Sequence, residues 1–140
     1  HGDSEFVALS SLDVSGVPVH DFCEMRGYHD HEEGMQRIAD DVKNSAYEII
    51  RKKKATYFGV AMSVRRICEA IIRDEKSVLP VSSIQHGTYG VEGIALSMPA
   101  IVGKNGVETI VPIRLNAAEY EKLRASEKTL RQVLEETVQV

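Results

Sequence analysis

At 140 residues, with 43% hydrophobic and 27% charged side chains, the chain has the composition of one globular domain able to bury roughly two-thirds of its unfolded surface. A formal charge of -4 provides no field to gather nucleic acid or an anionic membrane, and the only basic run is Arg51-Lys52-Lys53-Lys54. Cys23 and Cys68 are too few and too isolated for a disulfide framework or a thiolate zinc site, and as lone packing thiols they fit a reducing cytosol. With no apolar stretch near the ~20 residues of a membrane span and no signal-peptide pattern, the expectation is a soluble cytoplasmic protein.

Phe6 to Val14, a Ser15-Gly16 break, and Val17-Pro18-Val19 predict two short strands around a turn. From His31 to about Lys54 the apolar residues Met35, Ile38, Ala39, Val42, Ala46 and Ile49 recur at three- and four-residue spacing, which predicts one face of a long amphipathic helix. Asp30 is placed to cap its start, Glu32 and Glu33 suit its positive end, and the basic run suits its negative end. Ala55 to Gly59 interrupts the helix, and Val60, Val64, Ile67, Cys68 and Ile71 resume helical spacing. Three strands follow, Val78 to Ile84, Gly93 to Val102 and Val107 to Ile113, the last two joined by Gly103-Lys104-Asn105-Gly106, whose Asn-Gly pair tolerates the positive φ of a tight hairpin. Asn116 with Glu119 three positions on marks a helix start, and Tyr120, Leu123, Leu130, Val133 and Leu134 continue helical spacing to the end. Strands, long helices, strands and a helix, in that order, indicate an α+β fold with a mixed or antiparallel sheet, as one domain over residues 1–140.

His20, His29 and His31 lie close in sequence, but no third ligand falls at a diagnostic spacing, so they read as solvated loop histidines and no metal is expected. Gly87-Thr88-Tyr89-Gly90-Val91-Glu92-Gly93 matches no phosphate-binding pattern and reads as a turn leading into a strand. No serine sits in a nucleophile elbow and neither cysteine carries a catalytic signature.

Three stretches carry a resemblance. His1-Gly2-Asp3-Ser4, Lys54 to Ala61 after a long helix, and Met98-Pro99-Ala100-Ile101-Val102-Gly103-Lys104-Asn105-Gly106, with Asn44 to Ile50 between the first two, resemble in that order and separation the C-terminal half of an L-lactate dehydrogenase. The resemblance runs from the first residue to the last, and the ordered set is specific to the lactate and malate dehydrogenase superfamily.

The resemblance implies a substrate and catalytic domain of an NAD-dependent enzyme that reduces pyruvate to L-lactate in glycolysis and pyruvate fermentation. It implies that His1 is the acid/base residue, giving a proton to the pyruvate carbonyl oxygen during hydride delivery and recovering it from lactate; an imidazole with pKa near 6.5 suits both directions. Thr56 matches the position that faces the substrate; malate dehydrogenases usually carry serine there, so Thr56 favours lactate. Taken from its own surroundings, Thr56 would serve equally as a helix cap. The resemblance further sets Val60 against the nicotinamide ring and Ala46 near the substrate pocket, although each is as easily core.

What the family holds ahead of the histidine is not in these residues: the Gly-rich Rossmann domain, the carbonyl-polarising and carboxylate-clamping arginines, the aspartate that orients the histidine, and the fructose-bisphosphate site of many bacterial members. The 140-residue chain is therefore expected to be inactive alone. The family also implies a homotetramer of the intact enzyme, and here at least a dimer. L-malate or another L-2-hydroxy acid is the alternative substrate, and a non-catalytic oligomerisation module the alternative class.

Overall fold

The computed structural model describes residues 4–138. The opening segment is less extended than its composition suggests. A 3-10 turn, Leu9–Ser11, precedes two-residue strands β1 (Asp13–Val14) and β2 (Val17–Pro18), paired antiparallel around Ser15 and Gly16, which both take positive φ. Phe6 to Leu12 forms no strand, because Ser10 is tied sideways to the C-terminal helix rather than to a neighbouring strand. Helix α1 (Val19–Met25) is not predicted above; it is too short to show a periodic face, yet Pro18 before it and Gly27 (φ +78°) after it are ordinary start and stop signals.

Helix α2 (His31–Lys53) matches its predicted span. Asp30 occupies the cap position but its carboxylate makes no capping hydrogen bond. The helix ends where Lys54 turns left-handed, φ +66°, with its N–H donating to the Ile50 carbonyl at 2.7 Å. Its apolar face is present, but no residue of α2 is buried, and Ile38 and Val42 remain more than half exposed. Helix α3 (Phe58–Ile72) divides in two: Ile67, Ala70 and Ile71 turn to the sheet, with Ala70 fully buried, while Phe58 to Val64 is bare. Cys68 is exposed and Cys23 half-buried, so the packing role expected of both thiols fails at Cys68.

The core is built on a three-stranded antiparallel sheet in the order β3 (Ser77–His86), β4 (Glu92–Gly103), β5 (Gly106–Ile110). β3 and β4 pair from Ser77↔Val102 to Ile84↔Ala95 without interruption. Alternate residues of β4, Ile94, Leu96, Met98, Ala100 and Val102, are buried on one face, as the period of two requires. The β4–β5 hairpin lies where it is predicted, but of its turn residues only Gly106 takes positive φ (+87°); Asn105 does not, and the register shifts between Ile101 and Val102. The turn is thus closed by a left-handed glycine and a bulge rather than by an Asn-Gly pair. β5 stops at Ile110, three residues short of expectation, and the chain beyond it is held by the Tyr89 hydroxyl, which donates to the Ile113 carbonyl and accepts from its N–H, both at 2.6 Å.

Helix α4 (Ala117–Val138) seats Leu123 among Val91, Ile94, Leu96 and Met98. Burying one such leucine contributes about 2 kcal/mol. The predicted cap forms in full: Asn116 Oδ1 accepts from the Glu119 N–H at 2.8 Å and Glu119 Oε2 accepts from the Asn116 N–H at 3.0 Å. The same carboxylate also accepts from the Ser10 N–H at 2.9 Å and from the Ser10 hydroxyl.

Glu119 is only 5% exposed. Burial pushes its carboxyl pKa up, but the hydrogen bonds from Ser10 and Asn116, helped by Lys122, outweigh this and hold it below its ordinary value of 4.5. A depressed carboxylate stabilises the fold above the unfolded pKa, and the contribution is lost as pH falls through the folded one. Glu119→Gln is therefore expected to lower stability at pH 7 by about 1–3 kcal/mol. Thermal melts of both proteins between pH 7 and pH 3 check this, the gap closing at the acid end as the wild-type carboxylate protonates.

Candidate functional site

Of the residues singled out for chemistry, Thr56 and Val60 lie at the junction of α2 and α3 and Ala46 two turns back along α2, while His1 lies outside the described residues. Lys54 ends α2 and residues 55–57 are irregular before Phe58 opens α3. Thr56 sits in that connection. The cap of α3 is Tyr57, with no side-chain capping bond, so the capping role open to Thr56 is not taken up. Its hydroxyl has no hydrogen bond among the described residues and is exposed, a donor and acceptor available to a small polar molecule.

Val60 lies in the first turn of α3, 55% exposed, one helical turn beyond Thr56. A bare, stiff aliphatic side chain there offers apolar surface to a flat ring. Ala46 is exposed on α2, two turns before that helix ends. Thr56 and Val60 thus share one short stretch, whereas nothing in the geometry joins Ala46 to them directly. Neither Ala46 nor Val60 is core, which removes the packing role that each could equally have had.

Sequence reasoning passed over the neighbours of these residues. Tyr57 and Phe58 meet with ring centroids 4.9 Å apart, Lys53 Nζ stands 5.9 Å over the Phe58 ring, and Phe58 itself is 71% exposed. Met62 and Val64 continue the bare surface. The signal was available: between Phe58 and Val64 the apolar residues do not keep to one face, and a helix apolar on all sides is one that expects cover on all sides.

Charge at the junction is partly settled within α2. Lys52 Nζ donates to Glu48 Oε1 at 2.5 Å and Arg51 lies 3.8 Å from the same oxygen. The Lys52 hydrogen bond, with its charge, lowers the Glu48 pKa. Lys53 and Lys54, which have no ion pair among the described residues, leave the chain just before Thr56 cationic, a surrounding that favours a carboxylate.

A cavity of about 540 Å³ lies elsewhere, between the opening segment and the sheet, with Phe6, Tyr89, Met98 and Leu123 in its walls. It is part of the core region, and Ala46, Thr56 and Val60 are not among its lining residues.

The sequence profile of the lactate/malate dehydrogenase alpha/beta C-terminal domain matches residues 1–140. An L-lactate dehydrogenase of Acetivibrio thermocellus is 44% identical over 134 residues, covering 96% of this chain and 42% of that protein. The crystal structure of a minor L-lactate dehydrogenase from Enterococcus mundtii, in a ligands-bound form, superposes with a TM-score of 0.89 at 43% identity over 100% of this chain and 44% of that one. The lactate dehydrogenase of Cryptosporidium parvum does so with a TM-score of 0.87 at 32% identity over 95% of this chain and 44% of its own. The chain thus spans less than half the length of these relatives. With a profile matched from end to end and a shared fold at these identities, the chain belongs to the lactate/malate dehydrogenase family, whose alpha/beta C-terminal domain it forms.

Proposed function

We propose that this chain is the substrate-facing domain of an NAD-dependent L-lactate dehydrogenase, which interconverts pyruvate and L-lactate in the cytoplasm, at the end of glycolysis and in pyruvate fermentation. The observation that carries the reading is the identity of 42–44% to several bacterial proteins named L-lactate dehydrogenase across nearly the whole chain.

In this reading His1 works as general acid in one direction and general base in the other. Its protonated imidazole hydrogen-bonds the pyruvate carbonyl oxygen, draws electron density from the carbonyl carbon, and transfers its proton as the oxygen becomes an alkoxide. In reverse the neutral imidazole accepts the lactate hydroxyl proton. The nicotinamide cofactor, when bound, supplies and recovers the hydride. Val60 covers part of the nicotinamide ring, and the rest of the cofactor's contacts belong to the part of the protein outside this chain. The exposed Thr56 hydroxyl borders the small methyl end of the substrate, and Ala46 helps to line the pocket. The cations of Arg51 to Lys54 make the approach attractive to a 2-oxo acid.

Purified alone, the 140-residue chain is expected to show neither saturable NADH binding by fluorescence at micromolar concentration nor pyruvate reduction. Saturable binding would place the cofactor site in this domain and overturn the division of labour. In the complete polypeptide, His1→Asn should lower turnover with pyruvate by about 10²–10⁴-fold while leaving NADH affinity little changed. Steady-state kinetics with pyruvate and with oxaloacetate, beside the NADH titration, test this: wild-type turnover in the variant removes His1 from the chemistry, and a preference for oxaloacetate makes the enzyme a malate dehydrogenase.

The same reading accounts for the bare helices. α2 has an apolar face and no buried residue, and the first half of α3 is uncovered, so the cofactor-binding half and a second subunit are the surfaces that would close them. The family likeness makes the complete enzyme a homotetramer. The isolated chain should sediment as a dimer or larger at micromolar concentration; a single species near 15.5 kDa would show that association depends on the other half.

A further inference from the structure

The opening segment has open space on two sides. A cavity of about 460 Å³ separates it from α2, with Gln36, Ala39 and Lys43 in the far wall, and the cavity of about 540 Å³ separates it from the sheet. Ser4, Glu5, Phe6 and Ser126 line both, so they form the partition between the two. Phe6 packs on the core cluster, and Ser10, further along, is bound by Glu119. Ahead of Phe6 the tie to the rest of the domain is the hydroxyl pair of Ser4 and Ser126, 2.8 Å apart.

Serine is an odd choice at position 126. The residue is 2% exposed, in the interior of α4, one turn beyond the core residue Leu123. Alanine is the better helix former there, and a buried hydroxyl costs stability unless it is paired. Other hydroxyls of α4 bond back to their own helix, Thr129 to the Ala125 carbonyl and Thr137 to the Val133 carbonyl. Among the described residues the Ser126 hydroxyl instead reaches across to Ser4, 122 residues away in sequence. What the serine adds to α4 is a fixed point for the opening segment.

We propose that Ser126 is a positioning residue for the reaction, setting through Ser4 the place of the His1 imidazole. This role rests on His1 being the group that transfers the proton. Three residues of chain span at most about 11 Å, so a point fixed at Ser4 limits where His1 can stand. Proton transfer requires the imidazole within about 2.6–3.2 Å of the substrate oxygen. A misplacement near 1 Å costs about a hundredfold in rate, even when its origin is far from the chemistry. Breaking the hydroxyl pair gives Ser4 two cavities to drift into, and His1 moves with it.

Kinetics of the complete enzyme with pyruvate test the role, NADH fluorescence titration serving to count working sites. Ser126→Ala and Ser4→Ala should each lower kcat per site by about tenfold with pyruvate KM changed less than about twofold. The double variant should be no slower than either single one, because both remove the same bond. Ser126→Thr keeps a hydroxyl and has cavity space for its methyl group, so it should keep most of the wild-type rate. Thr129→Ala, in the same cavity wall but with its hydroxyl bonded within its own helix, should match wild type. Wild-type kcat in Ser126→Ala, losses that multiply in the double variant, or an equal loss in Thr129→Ala overturns the proposal. Should Ser126→Ala fail to fold, Ser4→Ala at the half-buried partner decides, and wild-type kcat there overturns the role. A full rate in His1→Asn is the separate result that removes the acid/base reading and the positioning role with it.

Discussion

One carboxylate holds the two ends of this domain together. Glu119 receives hydrogen bonds from the backbone and hydroxyl of Ser10 and from the backbone of Asn116, and so serves at once as the cap of α4 and as the anchor of the opening segment. Ser4 adds a second tie, its hydroxyl 2.8 Å from that of the buried Ser126, seven residues beyond Glu119 on the same side of α4. The segment from Ser4 to Ser11 has no ladder of its own, so its path depends on these side chains of a helix more than a hundred residues away. The proposed acid/base residue stands three positions ahead of Ser4. A polar clamp that caps a helix thereby also holds the described start of the chain, from Ser4 to Ser10.

Behind that clamp the domain has two kinds of surface. The sheet with α4 and the second half of α3 is closed, with Ala70, Ala100, Val91 and Val102 at or near zero exposure. α2 and the first half of α3 are the reverse, regular in backbone and apolar in sequence but uncovered. A helix of 23 residues with no buried side chain owes its persistence to local terms, and α2 has several. They include acids in its first turn, the cations of its last turn, the Gln36 to Asp40 and Lys52 to Glu48 contacts, and a left-handed stop at Lys54. Local order keeps the face presentable until a partner surface meets it. Thr56 and Val60 lie just beyond the end of α2, both exposed.

Much of this was legible in the residues. The 3.6-residue period of α2, the Asn116 and Glu119 cap, and the alternation along β4 each state a single local rule, and the structure obeys each of them. α1 was not legible because seven residues cannot display a period. The length of β5 was not legible because its end is decided by a hydroxyl, that of Tyr89, 24 residues away in sequence. Periodicity also reports that a face is apolar without reporting what covers it, which is why α2 reads as core and stands bare. The candidate site was suggested only by likeness: Thr56 and Val60 obey no local rule that marks them, and what the structure adds is that Thr56 caps no helix and that both side chains are exposed.

The order of the chain through the sheet has a consequence in time. β3, β4 and β5 follow one another in sequence and pair as neighbours in the sheet, with α3 and α4 both packed on β4, so most of the contacts that build the core close short loops. Contacts of that kind form early in folding. The bond from Ser10 to Glu119 instead closes a separation of 109 residues and has nothing to join until α4 exists. The opening segment, which leads to the proposed acid/base residue, is thus expected to dock after the sheet and α4 have formed.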